Sequence, residues 1–325
     1  MVEIYPRKHT SGELTAAQNA NQLDFKKNNF QNLFERFTAF IDASPNTIRT
    51  YRTSLRQWFK YINDNQIFNP TPDDVRQYKK DLEAAGKKLT TIQNYIVAVK
   101  RFFQWTEETR LYPDIAKHVK GEKISHNSFK KDYLRPAQAK KVLATIDRTS
   151  LKGKRDYAML SMMLTMGLRT VEVSRANIEN IGNLGNSTVL WVQGKGHLEA
   201  DAPVRMPDHV EAIVREYLNE RKATDLSEPL FTSTSNNNAG KRLTTRSISG
   251  IVKHSFIQAG FNSPKLTAHS TRHTTATLSL MNGATLQQTQ QLLRHANMQT
   301  TEIYAHNLDA SKNPAAVEVE NAIFN

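Results

Sequence analysis

Apolar residues return every three or four positions through most of the chain, the period of helices that bury one face. In "SPNTIRTYRTSLRQWFKYI", Ile48, Tyr51, Leu55, Phe59 and Ile62 share such a face. Ser44 can cap this helix, and Pro45 suits its first turn, where no N–H is needed. "TPDDVRQYKKDLEAAG" repeats the device. Thr71 and Pro72 start it, Asp73 and Asp74 oppose the positive end of the helix dipole, and Gly86 stops it. "TTIQNYIVAVKRFFQW" follows, with Ile92, Tyr95, Ile96, Val99, Phe103 and Trp105 as its apolar face. Residues 28–119 therefore read as a small all-helical bundle, preceded by a polar, aperiodic tail over residues 1–27.

"KGEKISHNSFKKDY", residues 120–133, is lysine-rich and has no period, as a linker would be. A second domain is expected over residues 134–325. It opens with helical patterns in "RPAQAKKVLATI" and "KRDYAMLSMMLTMG". "STVLWVQGKGHLEADAPVRM" then switches period, with β-branched residues on either side of Gly194-Lys195-Gly196, and reads as strand, tight turn, strand. Helices resume at Asp208, and Asn313 and Pro314 start a last short one carrying Val317, Ile323 and Phe324. The expected class is mainly α: an N-terminal helical bundle, then an α+β domain with a small antiparallel sheet.

Composition narrows the function. The chain has 325 residues, 38% of them hydrophobic, enough for two packed domains. Its net charge of +13 favours a polyanionic partner, of which nucleic acid is the commonest. A membrane surface would call for one concentrated basic amphipathic helix, and a membrane span for about 18 consecutive apolar residues. The sequence has neither. It has no cysteine, which removes disulfides and thiolate chemistry and fits a reducing cytosol. Along the bundle, Arg49, Arg52, Arg56, Lys79, Lys80, Lys87, Lys88, Lys100 and Arg101 occupy the polar faces. Any one of them is explained by solvation. As a set, with few acids among them after Lys87, they read as a phosphate-facing stripe.

An enzyme that cuts a phosphodiester must lower its barrier by on the order of 20 kcal/mol. That takes fixed positive charge at the non-bridging oxygens, a nucleophile, and a proton donor for the leaving oxygen. The second domain holds candidates for each. "MGLRTVEV" offers Arg169 with Glu172 three residues on, and Lys195 lies between two glycines. "HSTRHTTAT" offers His269 and Arg272 on one helix face, and "LLRHANMQTTEIYAH" offers His295 and Tyr304. Each motif is weak alone. His269 and His273 have the i,i+4 spacing of a zinc pair, but no carboxylate lies between them.

Taken together, Arg169, Lys195, His269-x-x-Arg272, His295 and Tyr304 resemble the tyrosine recombinase (phage integrase) family in order, type and spacing. His295 follows Arg272 by 23 positions, and Tyr304 follows His295 by nine. Arg294 departs from the family's usual glycine and is expected to touch DNA or face solvent. The resemblance implies a core-binding bundle joined to a catalytic domain. It implies that Tyr304 attacks a DNA phosphate to form a 3′-phosphotyrosyl link, with no metal, ATP or other cofactor. In this scheme Arg169, Arg272 and His295 hold the phosphate and Lys195 protonates the leaving 5′-oxygen. His269 assists proton removal from Tyr304, whose pKa nearby guanidinium charge should lower, and Glu172 buttresses Arg169. His273 is expected off the site. The implied partners are double-stranded DNA with paired inverted half-sites and further copies of the chain: a tetramer on two sites, a monomer or weak oligomer when free. A type IB topoisomerase-like enzyme and a non-catalytic DNA-binding protein on the same fold are the alternatives.

Overall fold

A computed structural model of the chain describes residue 25 and residues 30–121, 132–194, 197, 199–312 and 314–324. The chain divides into two compact units, residues 1–125 and 126–325. The division falls inside the lysine-rich stretch, of which residues 122–131 lie outside the described residues.

The first unit contains helices α1 (Phe30–Phe40), α2 (Pro45–Asp64), α3 (Pro72–Ala84) and α4 (Leu89–Glu108). Their ends follow local chemistry. Ser44 accepts a hydrogen bond from the Thr47 amide at 3.3 Å at the start of α2. The Thr71 amide donates to Asp74 at 2.7 Å in a capping box, and Gly86, at φ +68°, turns the chain after α3. The core is aromatic: Trp58, Phe34, Phe37, Phe102 and Phe103 are fully buried. Trp58 packs edge-on against Tyr78 and Phe103, with ring centroids 5.2 and 6.0 Å away. The stretch read as a loose tail is corrected at Phe25. This residue is 9% exposed and meets Tyr112 edge-to-face at 5.2 Å. The rest of residues 1–27 lies outside the described residues.

The second unit begins with α5 (Pro136–Ala144), α6 (Leu151–Thr165) and α7 (Thr170–Arg175). A three-stranded antiparallel sheet follows, β1 (Ile181–Leu184), β2 (Ser187–Val192) and β3 (Ala202–Arg205), in the order β1-β2-β3. The strand β1 was not read from the sequence. A two-residue turn at Gly185-Asn186 joins it to β2, with Leu184 opposite Ser187 and Gly185 at φ +57°. The link between β2 and β3 is not the tight turn expected. Val192 pairs with Ala202, so residues 193–201 separate the two strands, and Lys195, Gly196 and Leu198 among them lie outside the described residues. Helices α8 (Asp208–Arg221), α9 (Thr245–Gln258), α10 (Ala268–Met281), α11 (Leu286–Leu293), α12 (Gln299–Lys312) and α13 (Ala315–Phe324) complete it. The apolar core runs from α6 through the sheet to α8 and α9, and α10 packs against both α6 and α12. Among the described residues no helix is long and apolar enough to cross a membrane.

Candidate active site

Three chain segments converge on α10, the start of α7, the end of α11 and the middle of α12. The first turns sharply at Gly167, whose φ is +60° and whose added Cβ would lie 2.6 Å from Leu293. Glycine is required there by both backbone and space. Arg169 then stands at the N-cap of α7. Its amide donates to Glu172 Oε2 at 2.7 Å and its guanidinium to Oε1 at 2.8 Å. Glu172 therefore caps the Arg169 amide at the start of α7 as well as pairing with its guanidinium, which fixes the arginine's direction.

Arg272 lies on α10 and is 1% exposed. Its guanidinium donates to the Gly167 carbonyl at 2.6 Å and to the Leu293 carbonyl. Burial, with Arg169 and Arg294 nearby, pushes its pKa down to about 9, so it stays charged at neutral pH.

Arg294 does not simply face solvent: its side chain is 14% exposed and pairs within the site. It ends α11 in the left-handed region, at φ +54°, which explains why a glycine would suit the position. Its buried guanidinium donates to Glu172 Oε2 at 2.7 Å, and its carbonyl accepts from Arg169 at 3.4 Å. The Glu172 side chain has no exposed surface. Burial acts to raise its pKa, but Arg294, the Arg169 amide and the Arg169 charge outweigh that and hold the group below 4.5.

His295 follows at once. Its Nδ1 lies 2.8 Å from the buried Thr301 hydroxyl. Burial, then the charges of Arg272 and Arg169, push its pKa down to about 3, so the ring is neutral. If Thr301 donates to Nδ1, the Nε2 carries the proton and is a donor.

Tyr304 on α12 is 3% exposed and packs on Ala276 and Leu293. Its hydroxyl lies 2.6 Å from His273 Nδ1. This places His273 at the hydroxyl, not off the site as expected. The ring of His269 stands across that of His273, centroids 4.7 Å apart and 84° between planes. The expectation of a lowered tyrosine pKa is also corrected. Burial outweighs the lowering effect of Arg272 and Arg169, and the phenol is pushed up to about 12. Lys195 lies outside the described residues. Its neighbour Gly194 accepts a hydrogen bond from Arg175 at 2.9 Å.

The site thus brings together Arg169, Glu172, Arg272, His295 and Tyr304, with His269 beside them. Sequence reasoning missed His273, Arg294 and Thr301 as members. Only the departure from glycine at Arg294 signalled anything in advance. Among the described residues, no group of three or more His, Cys, Asp or Glu side chains is placed to hold a metal ion.

The basic residues of the first unit are placed more simply. Arg52 lies over the Phe34 ring at 4.8 Å and Arg56 over Phe30 at 5.9 Å. Arg49 and Arg101 reach Asn46 and Gln104, one turn along their own helices. Lys87 and Lys88 are exposed between α3 and α4. Lys100 differs: its ammonium donates to the carbonyls of Lys117 and Val119, at 3.3 and 3.1 Å.

Comparison with known proteins gives a consistent picture. Residues 132–311 match the sequence model of the Phage integrase family, and residues 34–109 that of the phage integrase N-terminal SAM-like domain. The tyrosine recombinase XerC of Chlamydia caviae is 30% identical over 308 residues, covering 84% of this chain and 95% of the relative. The tyrosine recombinase XerD of Vibrio cholerae is 27% identical over 282 residues, covering 85% and 92%. In fold, the chain is similar to the XerH site-specific recombinase bound to palindromic difH substrate, in a post-cleavage complex. The TM-score is 0.72 at 21% identity, covering 90% of this chain and 84% of that one. A lambda integrase dimer bound to a COC′ core site gives a TM-score of 0.64 at 14% identity, covering 84% and 93%.

Replacing Arg294 by glycine separates two effects at one position. Relief of the left-handed backbone is worth about 1–2 kcal/mol. Loss of one partner from a buried ion pair costs about 3–5 kcal/mol. Arg294→Gly should therefore destabilise the fold by on the order of 2 kcal/mol at pH 7 in urea melts. Because the folded Glu172 titrates below 4.5, its pairing stabilises the fold above that pH and is lost as pH falls through the lower folded value. In the variant, the Glu172 carboxyl lacks the Arg294 charge that holds its pKa down, so acidification should remove less stability than it removes from the parent. A variant more stable than the parent at pH 7 would count against the ion pair.

Proposed function

The chain belongs to the phage integrase family and is a tyrosine recombinase; from that premise, we propose how this site-specific DNA recombinase uses the residues gathered around α10. The observation that carries the reading is an excess of buried positive charge facing a tyrosine hydroxyl. Arg169, Arg272 and Arg294 stand around the one carboxylate of Glu172, and such a site fits an anion. A DNA phosphate supplies that anion. Arg169 and Arg272 bind its non-bridging oxygens, a task for which a planar guanidinium has donors to spare even after two carbonyls are satisfied. His295, neutral and oriented by Thr301, donates a third hydrogen bond, and His269, whose ring stands across that of His273, assists proton removal from Tyr304.

In the reaction, the Tyr304 oxygen bonds to phosphorus as the bond from phosphorus to the 5′-oxygen breaks. Lys195 gives the leaving oxygen its proton. The products are a 3′-phosphotyrosyl link and a free 5′-hydroxyl. A 5′-hydroxyl of the partner strand then attacks the link in reverse. The phosphotyrosine conserves the energy of the broken bond, so side chains alone fill every role, with no metal or nucleotide. The test is a suicide DNA substrate, nicked beside the cleavage position, in excess EDTA. The parent chain should form a covalent adduct on a denaturing gel. Tyr304→Phe should bind the same DNA equally well and form none. An adduct with the Phe variant, or loss of the parent's activity in EDTA, would overturn the scheme.

The first unit holds the DNA through Arg49, Arg52, Arg56, Lys87, Lys88 and Arg101, with Lys100 a weaker contributor because carbonyls already engage its ammonium. Each phosphate contact contributes about 0.9 to the slope of log affinity against log salt. Arg101→Ala should lower that slope by about one unit, and Lys100→Ala by clearly less. Filter binding between 50 and about 200 mM salt reads both. Equal losses would return Lys100 to the stripe.

The acting assembly is a tetramer on two DNA sites with paired inverted half-sites, closed by α13. Val317, Val319, Ile323 and Phe324 are exposed on that helix, Phe324 by 79%, so they are not covered by their own unit. A neighbouring copy supplies the surface, and donation from each copy to the next closes a ring. A chain ending at Lys312 should bind one half-site normally and lose cooperative filling of the second. A gel-shift titration over one and two half-sites reads this, and unchanged cooperativity would put α13 outside the assembly. The same chemistry serves an element that moves between DNA sites, and integration of a mobile element is the role assigned to the chain under this reading.

A further inference from the structure

The Tyr304 hydroxyl meets a histidine other than the one that the motif His269-x-x-Arg272 designates. His269, Arg272 and His273 share one face of α10, at i, i+3 and i+4. Where α12 crosses that face, the Tyr304 hydroxyl meets His273 Nδ1 at 2.6 Å, with ring centroids 5.4 Å apart. His269 is exposed, whereas His273 is half-buried between the ring of His269 and that of Tyr304. A phenol is a better donor than acceptor, so the pairing sets His273 as acceptor at Nδ1, with its proton on Nε2.

We propose that His273 is a further catalytic residue, the general base that receives the Tyr304 proton during strand cleavage. The inference rests on Tyr304 being the nucleophile. As the Tyr304 oxygen bonds to phosphorus, its O–H bond breaks and the proton passes to His273 Nδ1. The 5′-oxygen leaves with the proton of Lys195. In the resealing step His273 returns its proton to the departing tyrosine oxygen, and the ring is restored. No co-reactant is consumed. The need for an acceptor follows from the environment. Burial holds the phenol near 12, so the ionised form is scarce at neutral pH and has to be generated during attack. The groups around the imidazole are His269 and Arg272 on its own helix, Tyr304 on α12, and His295, whose ring lies nearly parallel to that of Tyr304 at 6.4 Å.

Single-turnover cleavage of the suicide substrate by the full chain tests this. His273→Ala should form the covalent adduct about 100-fold more slowly, within the range of general-base catalysis, with half-site affinity unchanged. His273→Asn keeps a side-chain hydrogen bond to the hydroxyl but cannot take a proton at neutral pH. It should be as slow as the alanine variant, whereas a merely positioning role predicts near-parental rates. Added imidazole should restore part of the rate of the alanine variant. If the alanine variant fails to bind DNA, the asparagine variant decides alone. Cleavage by either DNA-binding variant within about threefold of the parent overturns the proposal, since general-base loss costs far more. Adduct formation by Tyr304→Phe in the same assay overturns the nucleophile assignment instead, so the two failures are distinguishable.

Discussion

Glu172 carries a carboxylate with no exposed surface, and the site takes its shape from the way that charge is satisfied. Moving an ion from water into a protein interior costs several kcal/mol even after relaxation, so partners are needed on both oxygens. Oε1 takes the Arg169 guanidinium, and Oε2 takes the Arg169 amide and Arg294. One side chain thereby joins the start of α7 to the end of α11. Arg272 joins the same two places by another route, through the carbonyls of Gly167 and Leu293. These carbonyls lie just before Arg169 and Arg294 in the chain. The two cross-links act on the same pair of backbone termini, one through an anion and one through a cation. Arg169 and His295, which follow directly from those termini, inherit their positions.

This arrangement explains how a glycine position tolerates an arginine. The left-handed backbone at residue 294 costs about 1–2 kcal/mol for any residue with a Cβ. The arginine offsets that by neutralising Glu172 at Oε2, the oxygen that the Arg169 guanidinium does not take. It also places a third guanidinium near Arg169 and Arg272, which lowers the pKa of Arg272 and leaves more cations than anions among the described residues of the pocket. Net positive charge inside a protein is costly until an anion enters, so the same groups that order the pocket favour occupancy by phosphate.

How much of this was legible in the sequence depends on the distance over which each feature is determined. Ser44, Thr71-Pro72 and Gly86 marked helix ends correctly because caps are settled within four residues. The apolar periods of α2 and α4 identified the bundle, although Trp58, the centre of its aromatic core, was not on the face drawn for α2. Phe25 was read as tail because its neighbours are polar, whereas the rings that bury it, Phe59, Phe103 and Tyr112, are remote in sequence. The strand β1 is four residues long and includes Asn183, too short and too polar for a period of two to show. The family pattern picked out Arg169, Glu172, Arg272, His295 and Tyr304, and the fold brings them together. The role of Arg294 was hidden because its partner lies 122 residues earlier. The choice between His269 and His273 was hidden for a different reason. Both lie on one face of α10, and only the crossing of α12 determines which of them meets Tyr304.

The tyrosine illustrates the limit of reasoning from charge alone. Two guanidiniums near a phenol should favour phenolate, and Arg272 and Arg169 do act in that direction. Burial opposes them and wins, because an ion with little exposed surface loses its hydration whatever charges surround it. In the proposed reaction the arrival of a phosphate does not reverse the balance, because its negative charge offsets the field of the arginines that favoured ionisation. Under the proposed scheme the cations serve the charge that grows on the phosphate oxygens, and the proton of Tyr304 is left to a side chain in direct contact with it. A phenol that stays protonated until such transfer occurs is inert toward water-borne electrophiles and bound phosphates that are not aligned for attack. Control of the reaction then rests on the alignment of α12 over α10, the same crossing that selects the histidine.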